Sequence, residues 1–81
     1  MIKKLFNYIN DFNLKVIYKD NKLDIINYKR ILIFNDDKIK VECPKKIISV
    51  MGNNLSIKKL YDEELLIEGN IKEVKLEEIY E

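Results

Sequence analysis

The stretches "VMGNNLSI" (residues 50–57) and "IEGNIKEV" (residues 67–74) hold the only two glycines of the chain, Gly52 and Gly69. Each glycine follows apolar residues, is followed by Asn and leads into another apolar stretch. Such a pair of sites is either a set of anion-binding loops or punctuation between strands. A phosphate cradle needs several glycines close together at the opening of a helix, often with a following lysine. Here each glycine stands alone and runs into strand-like sequence, which favours punctuation. Gly52-Asn53 is expected to form a tight turn, because Gly and Asn accept positive φ at low cost. Gly69 is expected at a bend. Leu65, Ile67 and Ile71 share one parity and Val74 and Leu76 the other. A strand changes parity only by flipping its faces, so a bulge is expected between Gly69 and Val74.

The rest of the chain beyond residue 14 has the same texture. "LKVIYK", "KLDIINY", "KRILIF", "KIKVEC", "IISVM", "LSIKKL", "LLIEG" and "IKEVKL" are short apolar or alternating runs. Asn, Asp, Gly and Pro bound them at intervals of roughly 8–10 residues, the pattern of an all-β domain. Such spacing leaves no room for crossover helices, so antiparallel neighbours are expected. The expected fold is mainly β: an antiparallel meander of about 6–8 short strands, as a small sandwich or open barrel. "KIKVEC" alternates cleanly, with one dry face and one wet face. "RILIF" is apolar throughout, which predicts cover on both of its faces.

The first twelve residues differ. Ile2, Leu5, Phe6 and Ile9 follow an i, i+3, i+4, i+7 spacing, with Lys3, Lys4, Asn7 and Asn10 on the other side. This predicts a short N-terminal amphipathic helix over residues 1–12, ahead of a single β-rich domain over 14–80. A helix of this length is marginal alone in water and needs a surface.

At 81 residues the chain is one small domain, which buries only roughly 60–65% of its unfolded surface. A second subunit or partner surface would enlarge that thin core. Charged residues make up 36% and hydrophobic residues 47%, a globular rather than disordered composition. The formal net charge of +1 is not the footprint of a strong nucleic-acid binder, and no DNA partner is expected. No apolar run reaches the ~18 residues of a membrane span. "MIKKLFNYINDF" lacks the cleavage site of a signal peptide. A cytoplasmic location is therefore expected.

Few residues offer chemistry. There is no His, so Ser49 and Ser56 have no imidazole base. Ser49 reads as a strand residue. The single cysteine, Cys43, is in phase with Ile39 and Val41 and reads as a buried small hydrophobe. The carboxylate pairs Asp36-Asp37 and Glu63-Glu64 are adjacent in turns, where acidic residues are ordinary. No EF-hand spacing surrounds them. Catalytic residues, a metal site and a cofactor site are therefore all expected to be absent. One binding alternative exists. Tyr18, Tyr28 and Phe34 interleave with Lys15, Lys19, Lys29 and Arg30. On one face of a barrel they could stack single-stranded bases, or the barrel could hold a small ligand.

The ordered set of Asn27-Tyr28-Lys29, the apolar strand Ile31 to Phe34, an acidic turn, Ile39-Lys40-Val41, "VMGNNLSI" and "LLIEGNIKEV" resembles the YabP/YqfC family of small sporulation proteins from endospore-forming Firmicutes. The resemblance covers about residues 23–76. It implies a non-enzymatic sporulation factor of the mother-cell cytoplasm, peripheral to a membrane through a membrane-protein partner. No catalytic residue carries over from it. The expected mechanism is surface complementarity, with a protein partner or as a homodimer. The contact surface is expected on Ile2, Leu5, Phe6 and Ile9 together with Ile31 and Ile33 of "RILIF". Gly52, Asn53 and Gly69 are expected to act as structural turn and bend residues.

Overall fold

The structure, a computed structural model, describes residues 14–79. The helix expected over residues 1–12 lies outside them. The described chain forms six strands: β1 (Lys15–Lys19), β2 (Lys22–Ile26), β3 (Arg30–Phe34), β4 (Lys38–Cys43), β5 (Lys46–Leu60) and β6 (Glu64–Glu78). They make one antiparallel sheet in the order β1-β2-β6-β5-β4-β3. The mainly β expectation holds, with two corrections. The chain is a meander only from β3 to β6, since the β1–β2 hairpin adds to the far side of β6. And β5 and β6 are not short, each running for 15 residues.

Turn chemistry sets the hairpins. Asp20 and Asn21 both have positive φ, at 52° and 61°, and form the two-residue connection between the paired Lys19 and Lys22. Two successive left-handed residues match the twist of a tight hairpin, and Asp and Asn tolerate them best after Gly. Pro44-Lys45 joins the paired Cys43 and Lys46. Proline presets φ at the first turn position, and Lys45 takes the positive φ of 60° at the second.

Gly52 is not in a turn. It lies inside β5, opposite Ile71 of β6, and Asn53 pairs with Asn70. The two Gly-Asn stretches are therefore cross-strand neighbours at the middle of the longest hairpin. Glycine is needed there for close approach. A Cβ on Gly52 would collide with the Asn70 carbonyl oxygen. A Cβ on Gly69 would lie 2.6 Å from the Asn54 carbonyl oxygen and 2.9 Å from the Leu55 Cα, and Gly69 has a φ of +147°. The positive φ expected at Gly52-Asn53 falls instead on Asn54, at 54°.

These residues sit among bulges. Met51 pairs with Glu73 and Gly52 with Ile71, which leaves Lys72 as an extra residue in β6. This is the parity change expected between Gly69 and Val74. β5 carries an extra residue between the Asn53 and Ser56 pairs, and another between Ile57 and Lys59. Its buried side chains accordingly move from Ile48 and Val50 to Leu55. Bulges bend a strand and raise its twist. A straight strand of 15 residues would be roughly 50 Å long, whereas the longest dimension of the molecule is 32 Å. The β5–β6 hairpin must therefore bend, and the single sheet folds on itself.

The bend creates the core. Ile39, Val41 and Cys43 of β4 and Ile48 and Val50 of β5 come from one half of the sheet. Leu23 and Ile25 of β2, Leu55 of β5 and Leu65 and Ile67 of β6 come from the other. All belong to one buried cluster, with Leu14. The two short hairpins hold the bend from either side. The Gly52 N–H donates to the Asp37 carbonyl of the β3–β4 turn at 3.2 Å, and the Leu55 N–H to Asp36 at 2.8 Å. The Gly69 N–H donates to the Asn21 carbonyl of the β1–β2 turn at 3.2 Å.

Because both glycines are set by backbone approach, Gly52→Ala and Gly69→Ala should each destabilise the fold by about 3 kcal/mol or more in urea unfolding. Gly52→Ala costing less than about 1 kcal/mol, the usual scale of glycine's backbone effect, would contradict this assignment.

Candidate interaction surface

The sheet is open, so β1 and β3 end it at either edge. An edge strand presents backbone N–H and C=O groups that no neighbouring strand pairs, a template for another chain. The two edges differ in their side chains. β1, "KVIYK", carries Lys15 and Lys19 at its ends, and lysine is the common means of blunting an edge. β3, "RILIF", carries one charge, Arg30, whose Nε donates to Glu42 Oε1 of β4 at 2.6 Å. With the Arg30 side chain largely exposed, that pair is worth about 1 kcal/mol at most.

A bulge reorganises β3. Ile31 pairs with Val41, but Ile33 pairs with Lys40, leaving Leu32 as the extra residue. Ile31 is half-buried and packs against the core, and Ile33 is half-buried opposite Lys40. Leu32 is 43% exposed and Phe34 is 55% exposed. The expected cover on both faces of "RILIF" is thus not found among the described residues, because the strand is at an edge and its bulge turns Leu32 outward. The residues that β3 offers to solvent are Leu32 and Phe34 more than Ile31 and Ile33.

Tyr18, Tyr28 and Phe34 do not gather into a stacking platform. Tyr18 is on β1 and Phe34 on β3, at opposite edges of the sheet. Tyr28, between β2 and β3, donates its hydroxyl to the Tyr61 carbonyl at 2.7 Å, which ties that connection to the β5–β6 turn. The Asn27 N–H reinforces the tie by donating to the Glu63 carbonyl at 2.5 Å. A shallow cavity of about 330 Å³ lies elsewhere, beside β1, with Val16, Tyr18, Leu23, Ile71 and Val74 among its walls.

The titratable groups are structural in placement. Cys43 is 1% exposed, and its thiol is pushed up to about 11, first by burial and then by the Glu42 charge, with Lys46 opposing. Such a thiol is not a nucleophile at neutral pH. Ser49 is buried in β5. Asp36 and Asp37 are exposed in the β3–β4 turn, where their carbonyls rather than their carboxylates are used. Among the described residues no three His, Cys, Asp or Glu side chains come together as a metal site.

Asp24 is the exception that sequence alone does not flag. On β2 it stands between Ile17 of β1 and Leu66 of β6, and its Oδ1 is buried without a hydrogen-bond partner. Burial holds its carboxyl above the usual 3.8; hydrogen bonding to the Glu64 side chain and the Glu64 charge add to this, and Lys59 opposes it. The signal was available only as cross-strand register, since Asp24 and Glu64 are forty residues apart in sequence.

Two outcomes follow. A carboxyl with a raised folded pKa stabilises the fold fully below 3.8, and that stability is lost as pH rises through the raised value. Asp24→Asn should therefore raise Tm at pH 7 and flatten the decline in Tm between pH 4 and pH 7. An unchanged pH profile would rule out this role for Asp24. Native protein should resist iodoacetamide at Cys43 until it unfolds in urea, with alkylation tracking global unfolding; rapid labelling of the native protein would contradict the burial.

Comparison with known families yields a match to the YabP family. The YabP family model covers residues 13–79, from just before β1 to just beyond β6. No curated protein matches the sequence. The match takes in every strand, both Gly-Asn stretches and the β3 edge, and the chain belongs to the YabP family.

Proposed function

We propose that this chain is a non-enzymatic sporulation factor, a small interaction domain that acts in spore formation by docking on a protein partner. Membership of the YabP family suggests the sporulation-associated role. The observation that carries the docking role is the β3 edge. Among the described residues it has no partner strand on its outer side, and it carries Leu32 and Phe34 exposed at 43% and 55% and a single charged residue. An apolar edge of this kind suits addition of a strand or an extended peptide from a partner, with backbone hydrogen bonds giving affinity and side chains giving selection. In this reading the mechanism is complementarity of surfaces, and the chain works as an adaptor in the mother-cell cytoplasm. No helix among the described residues is long and apolar enough to cross a membrane; in this reading a membrane-protein partner supplies the membrane link.

A pull-down from sporulating cells, with the membrane fraction included, tests the proposal. The wild-type chain should retain a sporulation-specific membrane protein, and a Leu32→Lys/Phe34→Lys variant with unchanged Tm should lose it. Recovery of RNA alone, or equal capture by the variant, would overturn the reading.

A further inference from the structure

β6 pairs with β5 on one side from Leu65 to Glu78, but on the other side β2 reaches only from Glu64 to Glu68. The Gly69 N–H donates to the Asn21 carbonyl of the β1–β2 turn, and that hairpin ends there. Beyond it, residues 70–77 of β6 have no strand on that side among the described residues. The side chains along this stretch alternate. Val74 and Leu76 lie opposite the buried Val50 and Ile48, on the core face; Val74 is half-buried and Leu76 is 45% exposed. Glu73 and Lys75 lie opposite Met51 and Ser49, on the other face. The charges of this edge are of both signs, at neighbouring positions of one face.

We propose that a second copy of this chain adds to this side, β6 against β6, in a two-fold dimer centred on Val74. A two-fold axis normal to the sheet keeps the core faces of the two copies in step, so it sets one residue opposite its own copy. Centring on Lys72, Glu73, Lys75 or Glu77 puts like charges opposite each other, which destabilises a cross-strand pair. Centring on Val74 sets Val74 against Val74, and it sets Glu73 against Lys75 of the other copy, twice by symmetry. Within one chain these two side chains lie 3.9 Å apart and are 50% and 59% exposed, so they reach the neighbouring strand without disturbing the core. At the ends Lys72 meets Leu76, whose exposed side chain gains cover from the lysine stem while the ammonium stays in water. Centring on Leu76 would instead press the carboxylate of Glu78 against Val74. The β1 edge lacks this self-complementarity, since centring it on Ile17 sets Lys15 against Lys19. The interface shares no residue with the β3 edge, so loss of one leaves the other intact.

Sedimentation of the full-length protein tests it. The wild type should show a reversible monomer–dimer equilibrium. Glu73→Lys and Lys75→Glu should each weaken it about tenfold or more, and Glu73→Lys/Lys75→Glu should return to within about threefold of wild type. Val74→Cys should form a disulfide across the axis on mild oxidation, while Leu76→Cys and Leu32→Cys should not; Cys43 is buried in every case. If Val74→Cys loses the fold, the charge swap decides. A protein that stays monomeric up to about 1 mM would overturn the proposal. So would a dimer that keeps its affinity in both single variants, or a double variant as weak as the singles. Cross-linking at Leu76 or Leu32 in place of Val74 would also overturn it, by placing the contact in another register or at the β3 edge.

Discussion

Two backbone carbonyls, those of Asn70 and Asn54, occupy the space where side chains of Gly52 and Gly69 would otherwise lie. That close approach allows the bend of the β5–β6 hairpin, and most of the structure depends on it. Without the bend, the two 15-residue strands would form a long flat ribbon with two separate apolar faces. With it, the face carrying Ile39, Val41, Ile48 and Val50 meets the face carrying Leu23, Ile25, Leu65 and Ile67. One chain of 81 residues thereby makes both layers of its own core. Each fully buried aliphatic contributes about 1.5–3 kcal/mol as an upper estimate, a gain that a flat sheet could not collect.

The same bend explains the exposed features. Where β5 and β6 leave their outer partners, the sheet has no further strand among the described residues, and the bulges set which residues face those sides. The β3 edge emerges with Leu32 and Phe34 outward, and the cavity beside β1 emerges with Ile71 and Val74. The hairpin turns are used twice. Asp36, Asp37 and Asn21 close their own connections and also accept hydrogen bonds from the bent hairpin. Their acidic and amide side chains are exposed.

Much of the fold was legible from local pattern. Alternation marked Ile39, Val41 and Cys43 as one buried face, and the parity break after Gly69 marked the bulge at Lys72. What was not legible depended on pairing across long stretches of sequence. Gly52-Asn53 has the chemistry of a turn, and only its register opposite Asn70 and Ile71 shows it to be part of a continuous strand. "RILIF" has the composition of a covered strand, but sheet order places it at an edge. The raised carboxyl of Asp24 comes from burial and from Glu64, which is forty residues away in sequence. The family resemblance and the β class survived these corrections because they rest on the order of the pieces and not on the role of any one.

The most direct test of this account is the set of backbone nuclear Overhauser effects around Gly52. A bent, continuous hairpin predicts cross-strand contacts from Gly52 to Ile71 and from Asn53 to Asn70. Sequential amide–amide contacts typical of a reverse turn through Met51 to Asn54, with no contact to Asn70 or Ile71, would contradict it.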